Sequence, residues 1–118
     1  MLRKLMKSKL HRATITRAEL HYEGSLGVDE ELMRAAGLLP NEAVQVWNVN
    51  NGARRETYVV PAPAGSRDIC LFGSAARQGQ PGDLLIIAAF AWMEDEEARR
   101  FQPSVVLLGE GNQVKAVR

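Results

Sequence analysis

The sequence feature that most constrains the fold is an apolar run of ten residues, Leu84 to Met93. A helix needs about 20 apolar residues to cross a bilayer, so this run is too short to be a transmembrane helix. It follows Pro81-Gly82-Asp83, a sequence typical of a turn. The pattern predicts a strand from Asp83 to Phe90 that is buried on both faces. Other elements of the chain must therefore cover both sides of this strand.

A second strand is predicted from Lys9 onward, where the side chains alternate in character. Leu10 and Arg12 would face one way, and Lys9 and His11 would face the other. Three β-branched residues follow at positions 14 to 16 and favour extended backbone. The consequence is that Lys9 and His11 share a face.

A hairpin is predicted over residues 42 to 60. Its turn is Asn51-Gly52, a pair that favours a tight turn in which both residues have positive φ. On the returning strand, Arg54 and Tyr58 are four residues apart and share a face. Thr57 is adjacent to Tyr58, so a regular strand would point it to the opposite face.

The rest of the chain alternates between short elements and turns. A helix is predicted from Asp29, which can cap its N-terminus, to Gly37, which can stop it. The other predicted elements are short strands at Ile69–Phe72 and Ser104–Leu108 and a helix at Glu94–Phe101. The tail from Gly109 is expected to be loosely ordered. Together these elements predict a mainly β fold with short helices, closed into a small barrel that hides the strand edges.

Composition bounds the functional class. The 118 residues are enough for one domain, spanning residues 1–118, and their net charge of +1 gives no field toward nucleic acid or acidic lipid. The one cysteine, Cys70, excludes an internal disulfide. The basic N-terminus has no apolar stretch behind it, so no signal peptide is predicted. We therefore expect a cytoplasmic protein that binds neither nucleic acid nor membrane.

Several kinds of catalytic site are disfavoured by spacing. His11, His21 and Cys70 are not at metal-ligand spacing, so no metal site is predicted. No glycine pattern that would cradle a phosphate is present. A serine hydrolase that uses Ser25 with His11 or His21 as base is left open, although Ser25 lacks the second glycine of a nucleophile elbow.

Self-cleavage at Gly24-Ser25 is the sharper hypothesis. The chain has three Gly-Ser pairs, so the dipeptide alone proves nothing. However, a serine hydroxyl can attack the carbonyl before it, and a preceding glycine permits the backbone geometry that this attack needs. Elimination and loss of ammonia would then leave a pyruvoyl group. Such a ketone can form a Schiff base with an amino acid and act as an electron sink.

Five short segments, taken in order, resemble one known family. They are Lys9-Leu10-His11-Arg12, Glu19 to Ser25, Asn51-Gly52-Ala53-Arg54, Thr57-Tyr58 and Pro81-Gly82-Asp83. Each is a weak signal alone, but their order and separations are specific. From about residue 1 to residue 108, the chain is similar to the aspartate 1-decarboxylase family of pyruvoyl enzymes.

The resemblance implies a fold, a reaction and an assembly. The fold would be a small six-stranded double-psi β-barrel, assembled as a homotetramer with sites at subunit interfaces. The chain would be a zymogen that cleaves itself into a β chain (1–24) and an α chain (25–118). Its covalent pyruvoyl group, with neither a metal nor pyridoxal phosphate, would decarboxylate L-aspartate to β-alanine and CO2 for pantothenate and coenzyme A synthesis.

The resemblance also implies roles for individual residues. Ser25 would become the pyruvoyl group, and Tyr58 would protonate the carbanion that remains after CO2 departs. Lys9 and Arg54 would bind substrate carboxylate, a role that suits the bidentate geometry of arginine. Thr57 would assist cleavage and lie beside the substrate.

Further positions would line or support the site. The backbone of Gly73, Ser74 and Ala75 would line the substrate pocket, and His11 and Tyr22 would support it.

One position departs from the family pattern. Where the family usually has Asn-Gly-Ala-Ala-Ala, this chain has Phe72-Gly73-Ser74-Ala75-Ala76, so an amide is replaced by an apolar ring. The change would slow self-processing, shift the role of the amide to another group, or accompany an altered substrate preference. Together with the basic N-terminal strand, it motivates the alternative of a non-processing barrel that acts as a binding or assembly module.

Overall fold

A computed structural model describes all 118 residues, and most of them lie in strands. The strands are β1 (Leu2–Thr14), β2 (Arg17–Glu19), β3 (Ser25–Asp29), β4 (Ala43–Asn48), β5 (Arg54–Ala62), β6 (Ile69–Phe72), β7 (Leu84–Glu94), β8 (Ser104–Leu108) and β9 (Val114–Val117). The helices are α1 (Glu30–Ala35), α2 (Asp95–Arg100) and two 3₁₀ helices, Gly73–Gln78 and Glu110–Asn112. The predicted mainly β fold with short helices is confirmed. None of the helices is long and apolar enough to cross a membrane.

The strands form one hydrogen-bonded series in the order β2-β6-β3-β5-β4-β7-β1-β8-β9. This is compatible with the expected double-psi barrel, although the series has nine strands rather than six and its two ends do not pair with each other. A core of 20 buried apolar residues lies against the sheet. Strand β7 pairs with both β1 and β4. The prediction that its apolar run is buried on both faces is wrong, because Ile86 and Phe90 are only half-buried and Trp92 is 65% exposed.

Strand β1 is longer and less regular than its sequence pattern suggests. It pairs antiparallel with β7 along its length and parallel with β8. Arg12 has a φ of 66°, and the register with β7 shifts between His11 and Ala13. This bulge turns Ala13 into the core with Leu10, so the predicted alternation fails beyond position 12. Lys9 and His11 precede the bulge and do share a face.

Strand β5 changes partners halfway along its length. Its first part, up to Tyr58, pairs antiparallel with β4, and its second part, from Val59, pairs parallel with β3. Leu26 of β3 lies beside Val59, so the register brings Tyr58 next to Ser25. This exchange of partners is what connects the predicted hairpin to the predicted cleavage bond.

Strand β3 is absent from the sequence-based prediction. All five of its residues are buried, and it runs directly into α1. Asp29 ends the strand and caps the helix by accepting a hydrogen bond from the Glu31 backbone N–H at 2.8 Å. The predicted cap is therefore confirmed, but Ser25 begins a buried strand and not a loop.

Two other local predictions are wrong. The loop between β4 and β5 is longer than a two-residue turn, and Gly52 has positive φ (76°) whereas Asn51 does not. Asn48 organises this loop, because its side-chain oxygen accepts hydrogen bonds from two backbone N–H groups. The tail is also ordered: β9 pairs with β8, and the buried Asn112 side chain donates to the carbonyl oxygens of Thr14 and Arg67.

Candidate active site

A cleft of about 340 Å³ opens beside the Gly24–Ser25 peptide bond. Its walls come from the segment before this bond and from β3, β5 and β6. Prominent lining side chains are those of Arg17, Tyr22, Glu23, Tyr58, Asp68 and Phe72. Ser25 contributes to the lining but is only 5% exposed, so it lies at the floor of the cleft.

The Tyr58 side chain contacts the carbonyl group of the predicted cleavage bond. Its phenol donates a hydrogen bond to the Gly24 carbonyl oxygen at 2.6 Å. A hydrogen bond to a carbonyl oxygen draws electron density away from the carbon and stabilises negative charge that develops on the oxygen. The arrangement favours nucleophilic attack at the Gly24 carbonyl carbon. Ser25 is the adjacent residue in sequence, and its hydroxyl group can act as the nucleophile.

Gly73 allows the opposite wall to approach the same bond closely. A Cβ atom at this position would lie 2.7 Å from Gly24 Cα and 3.0 Å from the Tyr22 carbonyl oxygen, and Gly73 has a φ of 66°. Both the steric contact and the backbone conformation therefore require glycine. The group that approaches is the cleavage segment itself.

Asp29 fixes the far end of the strand that Ser25 begins. Its buried carboxylate accepts backbone hydrogen bonds from Glu31, Gly65 and Arg67. Burial works to raise the pKa of Asp29, but the three N–H donors and the Arg67 charge outweigh burial, and the pKa lies below its usual value. Asp29 is therefore ionised at neutral pH and holds β3, α1 and the loop before β6 together.

Cys70 lies in the cleft wall but is not an activated nucleophile. Burial raises the pKa of its thiol, and the nearby Asp68 charge raises it further. A thiol is a weak nucleophile in its protonated form. Neither His11 nor His21 lines the cleft, so Ser25 has no imidazole base of the kind that a serine hydrolase uses.

The charged residues predicted to bind substrate lie elsewhere in this chain. Lys9, His11 and Arg54 do not line the cleft. With Trp47 they define what we call the outer face of the sheet. Cross-strand pairing runs in one row from Arg54 through Trp47 and Ile86 to His11. Three strands separate β1, which carries Lys9, from β3, which carries Ser25.

The outer face carries two positive charges without an ion-pair partner, at Lys9 and Arg54, and the Glu56 carboxylate lies in the same cross-strand row as Lys9. The Arg54 guanidinium stacks on the Trp47 ring, 4.4 Å from its centroid. Neither Arg54 nor Lys9 forms an ion pair within the chain. Burial lowers the pKa of His11, the charges of Lys9 and Arg12 lower it further, and the buried Nδ1 has no hydrogen-bond partner. This face therefore offers positive charge and a neutral imidazole to an anionic ligand.

Thr57, Ser74 and Ala75, the other residues predicted to lie beside the substrate, are found on the inner side of β5. The pairing of β5 with β4 is regular at this point, so Thr57 points away from Tyr58, into a small apolar pocket that Ala75 also lines. The Ser74 hydroxyl accepts a hydrogen bond from Arg55 at 2.6 Å. Thus the chain brings together Gly24, Ser25, Tyr22, Tyr58 and Gly73, but separates them from the outer face and from the Thr57 pocket.

Comparison with known proteins matches this sequence to one family. The sequence model described as Aspartate decarboxylase matches residues 1–115. The chain is 54% identical over 115 residues to "Aspartate 1-decarboxylase" of Hyphomonas neptunium, covering 98% of both chains. It is 56% identical over 118 residues to the protein of the same name from Moorella thermoacetica, covering 100% of this chain and 92% of the relative.

A solved structure, that of the computationally designed msDPBB_sym2 protein, matches 72% of this chain and 96% of its own at 21% identity and a TM-score of 0.47. The sequence relatives settle the family, because they span nearly the whole length of both chains at more than half identity. The resemblance drawn from the sequence is thereby confirmed, and this chain belongs to the aspartate decarboxylase family.

Proposed function

We propose that this chain is an aspartate decarboxylase that makes its own catalytic group by breaking the Gly24–Ser25 bond. The observation that carries the proposal is the 2.6 Å hydrogen bond from the Tyr58 phenol to the Gly24 carbonyl oxygen, at the floor of a cleft beside Ser25. The relatives' shared name, Aspartate 1-decarboxylase, supports L-aspartate as the substrate and β-alanine and CO2 as the products.

The cleavage step needs no group from outside the chain except water. The Ser25 oxygen attacks the Gly24 carbonyl carbon, and the hydroxyl proton passes to the departing Ser25 nitrogen, which leaves an ester and an amine. Loss of the Ser25 α-proton then expels the Gly24 carboxylate and leaves dehydroalanine. Water replaces the nitrogen, which departs as ammonia, and a ketone results. The products are residues 1–24 and residues 25–118, with the pyruvoyl ketone at position 25.

The residues of the cleft fit a ketone at this position. Tyr58 directs its phenol at the Gly24 carbonyl oxygen, beside the residue on whose Cα the ketone would form, and burial of Ser25 limits access of water. When present, such a ketone supplies an electron sink for decarboxylation of an amino acid. Tyr58 then holds a proton for the carbon from which CO2 has departed, since a positioned phenol can act as a general acid.

The one cationic side chain that lines the cleft, Arg17, is paired with Glu19, so the substrate carboxylates require positive charges from elsewhere. We assign carboxylate binding to Arg54 and Lys9, whose charges are unpaired on the outer face, with His11 as a neutral neighbour. Because these residues do not line the cleft of their own chain, the assignment implies assembly of copies, and a homotetramer with sites between subunits meets this need. Thr57, Ser74 and Ala75 would then lie at the border between subunits.

The family supports a place for this reaction in the cell. β-Alanine is a building block of pantothenate and hence of coenzyme A, and we assign the reaction to the cytoplasm on the same basis. We treat the whole of residues 1–118 as one catalytic domain before cleavage.

Intact mass measurement of the purified chain tests the proposal directly. We expect the 13.0 kDa chain to convert to two fragments, one that ends at Gly24 and one that begins at residue 25. The second and larger fragment should be blocked at its N-terminus. Ser25→Ala should stay whole and form no β-alanine. Ser66→Ala, at a second Gly-Ser pair, is the matched control and should cleave and turn over like the parent. A parent chain that stays whole after prolonged warming would instead support the binding-module alternative.

A further inference from the structure

Phe72 lies directly beside the cleavage bond. In the antiparallel pairing of β3 with β6, Phe72 is the register partner of Ser25. Its ring also contacts the segment before the bond: the Tyr22 and Phe72 ring centroids are 4.7 Å apart at an interplanar angle of 31°. Phe72 thus contacts the chain on both sides of the bond, through its ring before the bond and through its strand pairing after it.

Gly27 provides the space that the Phe72 ring occupies. A Cβ atom at Gly27 would lie 2.8 Å from Phe72 Cε2, closer than carbon atoms approach without displacement. The absence of a side chain at position 27 and the presence of a ring at position 72 are therefore complementary. This fit argues that the ring is accommodated by the fold and is not an obstruction in the cleft.

The backbone after Phe72 holds the same segment from a second direction. Gly73 is packed against Gly24 and the Tyr22 carbonyl group, as described above. Tyr22 itself is 58% exposed, so its ring has few other contacts that could fix its position. The Phe72-Gly73 pair consequently clamps the Tyr22–Gly24 segment, with the ring against the Tyr22 side chain and the glycine against the backbone.

We propose that Phe72 is a positioning residue for self-cleavage, seated by Gly27 and acting through its contact with Tyr22. Attack by the Ser25 oxygen requires the Gly24 carbonyl to be held in one orientation, and fixing this orientation in advance increases the rate. Tyr58 holds the carbonyl oxygen, and the Phe72–Tyr22 contact holds the chain that carries it. The inference rests on the proposed self-cleavage and explains how this chain uses a ring at position 72.

The test is a timed cleavage assay on precursor that is purified cold and then warmed. We expect Phe72→Leu and Tyr22→Leu each to slow cleavage about three- to tenfold, the range that the worth of an aromatic pair predicts. The double variant should be no slower than the slower single variant, because both substitutions remove one shared contact. The thermal midpoint of unfolding is measured for the same substitutions in a Ser25→Ala background, which should not cleave. A positioning role requires that the effects of the two substitutions on the cleavage rate are not additive. Their effects on the thermal midpoint should not show the same non-additivity.

A second pair of variants tests the seat of the ring. Gly27→Ala should slow cleavage, because its Cβ would displace the Phe72 ring. Adding Phe72→Leu should return the rate close to that of Phe72→Leu alone, since the smaller side chain removes the 2.8 Å collision and leaves only the milder 3.3 Å approach to Cys70 Cβ. Additive slowing, or a Phe72→Leu rate within about twofold of the parent, would overturn the inference while leaving self-cleavage intact. A parent that never cleaves would overturn the proposed function and this inference together.

Discussion

The cleft beside Ser25 and the outer face of the sheet differ in how completely one chain builds them. In the cleft, the Gly24 carbonyl has its hydrogen-bond donor in Tyr58 and its steric support in Gly73. On the outer face, Arg54 and Lys9 carry charges that no residue of the chain neutralises. Folding of one chain completes the first region, whereas the charges of the second region have no counter-ion within the chain.

This difference separates the two proposed reactions in space. Bond breakage needs groups that the cleft already contains, so we expect it to depend on the local packing of a single chain. On the proposed assignment, turnover of a dicarboxylic amino acid would need the cleft and the outer face together, and therefore more than one copy. Tyr58 belongs to both regions, because its phenol lies in the cleft and its strand position shares a face with Arg54.

Tyr58→Phe is the largest perturbation that keeps the shape of the cleft. We expect turnover to fall about 10²–10⁴-fold, because a proton donor is lost. Cleavage should slow by about 10²-fold, the lower end of the cost of removing one donor to a developing oxyanion. Intact mass gives the cleavage rate, and β-alanine formation per cleaved chain gives turnover. Equal losses in both reactions would contradict the separation of roles.

Arg54→Gln should affect only the second reaction. Loss of a carboxylate-binding guanidinium should lower kcat/KM about 10²–10³-fold, while the chain is cleaved at the parent rate. The control is Arg34→Gln on the exposed face of α1, where the arginine pairs with Glu30 four residues earlier. That variant should match the parent in both assays. A cleavage defect in Arg54→Gln would show that the outer face also serves the cleft.

Asp29→Asn should give the smallest of these effects and act through stability. In a Ser25→Ala background we expect a loss of about 1–3 kcal/mol in the free energy of unfolding at pH 7, since a buried ionised acceptor of three N–H groups is neutralised. The pKa of Asp29 is lower in the folded state, so its stabilisation is present above the unfolded pKa and is lost as the pH falls through the folded pKa.

The difference in urea midpoint between the Ser25→Ala protein and the same protein with Asp29→Asn should therefore become smaller as the pH falls. Glu96→Gln, at an exposed helix pair with Arg100, is the matched control and should change the midpoint little. A difference that does not depend on pH would mean that packing, and not charge, explains the loss.

The sequence predicted those parts of the fold that local patterns determine. The strands at β6, β7 and β8, the Asp29 cap and the shared face of Arg54 and Tyr58 all follow from periodicity or capping chemistry. Strand β3 was missed because it is only five residues long, contains a glycine and runs into the helix without a turn, although Leu26 and Val28 alternate with small or polar residues. Strand β9 was missed because an edge strand of mostly exposed residues has no apolar pattern.

The candidate site was only partly predictable, because its contacts join distant segments. The resemblance pointed to Gly24, Ser25 and Tyr58, and the fold brings these three together. The fit of Phe72 to Gly27 and the approach of Gly73 to Gly24 depend on register between β3 and β6, which no local pattern contains. The separation of Lys9 from the cleft likewise depends on the order of strands in the sheet.

The position of β1 has a consequence for how the molecule is made. This strand lies inside the sheet, bonded to β7 on one side and β8 on the other, and it belongs to the 24 residues that cleavage would release. In the intact chain, the strand is tethered and docks at a high effective concentration. Once cut, it becomes a separate peptide, and reassembly after unfolding becomes a bimolecular reaction whose midpoint falls on dilution. The order of events therefore matters: folding has to precede the cut.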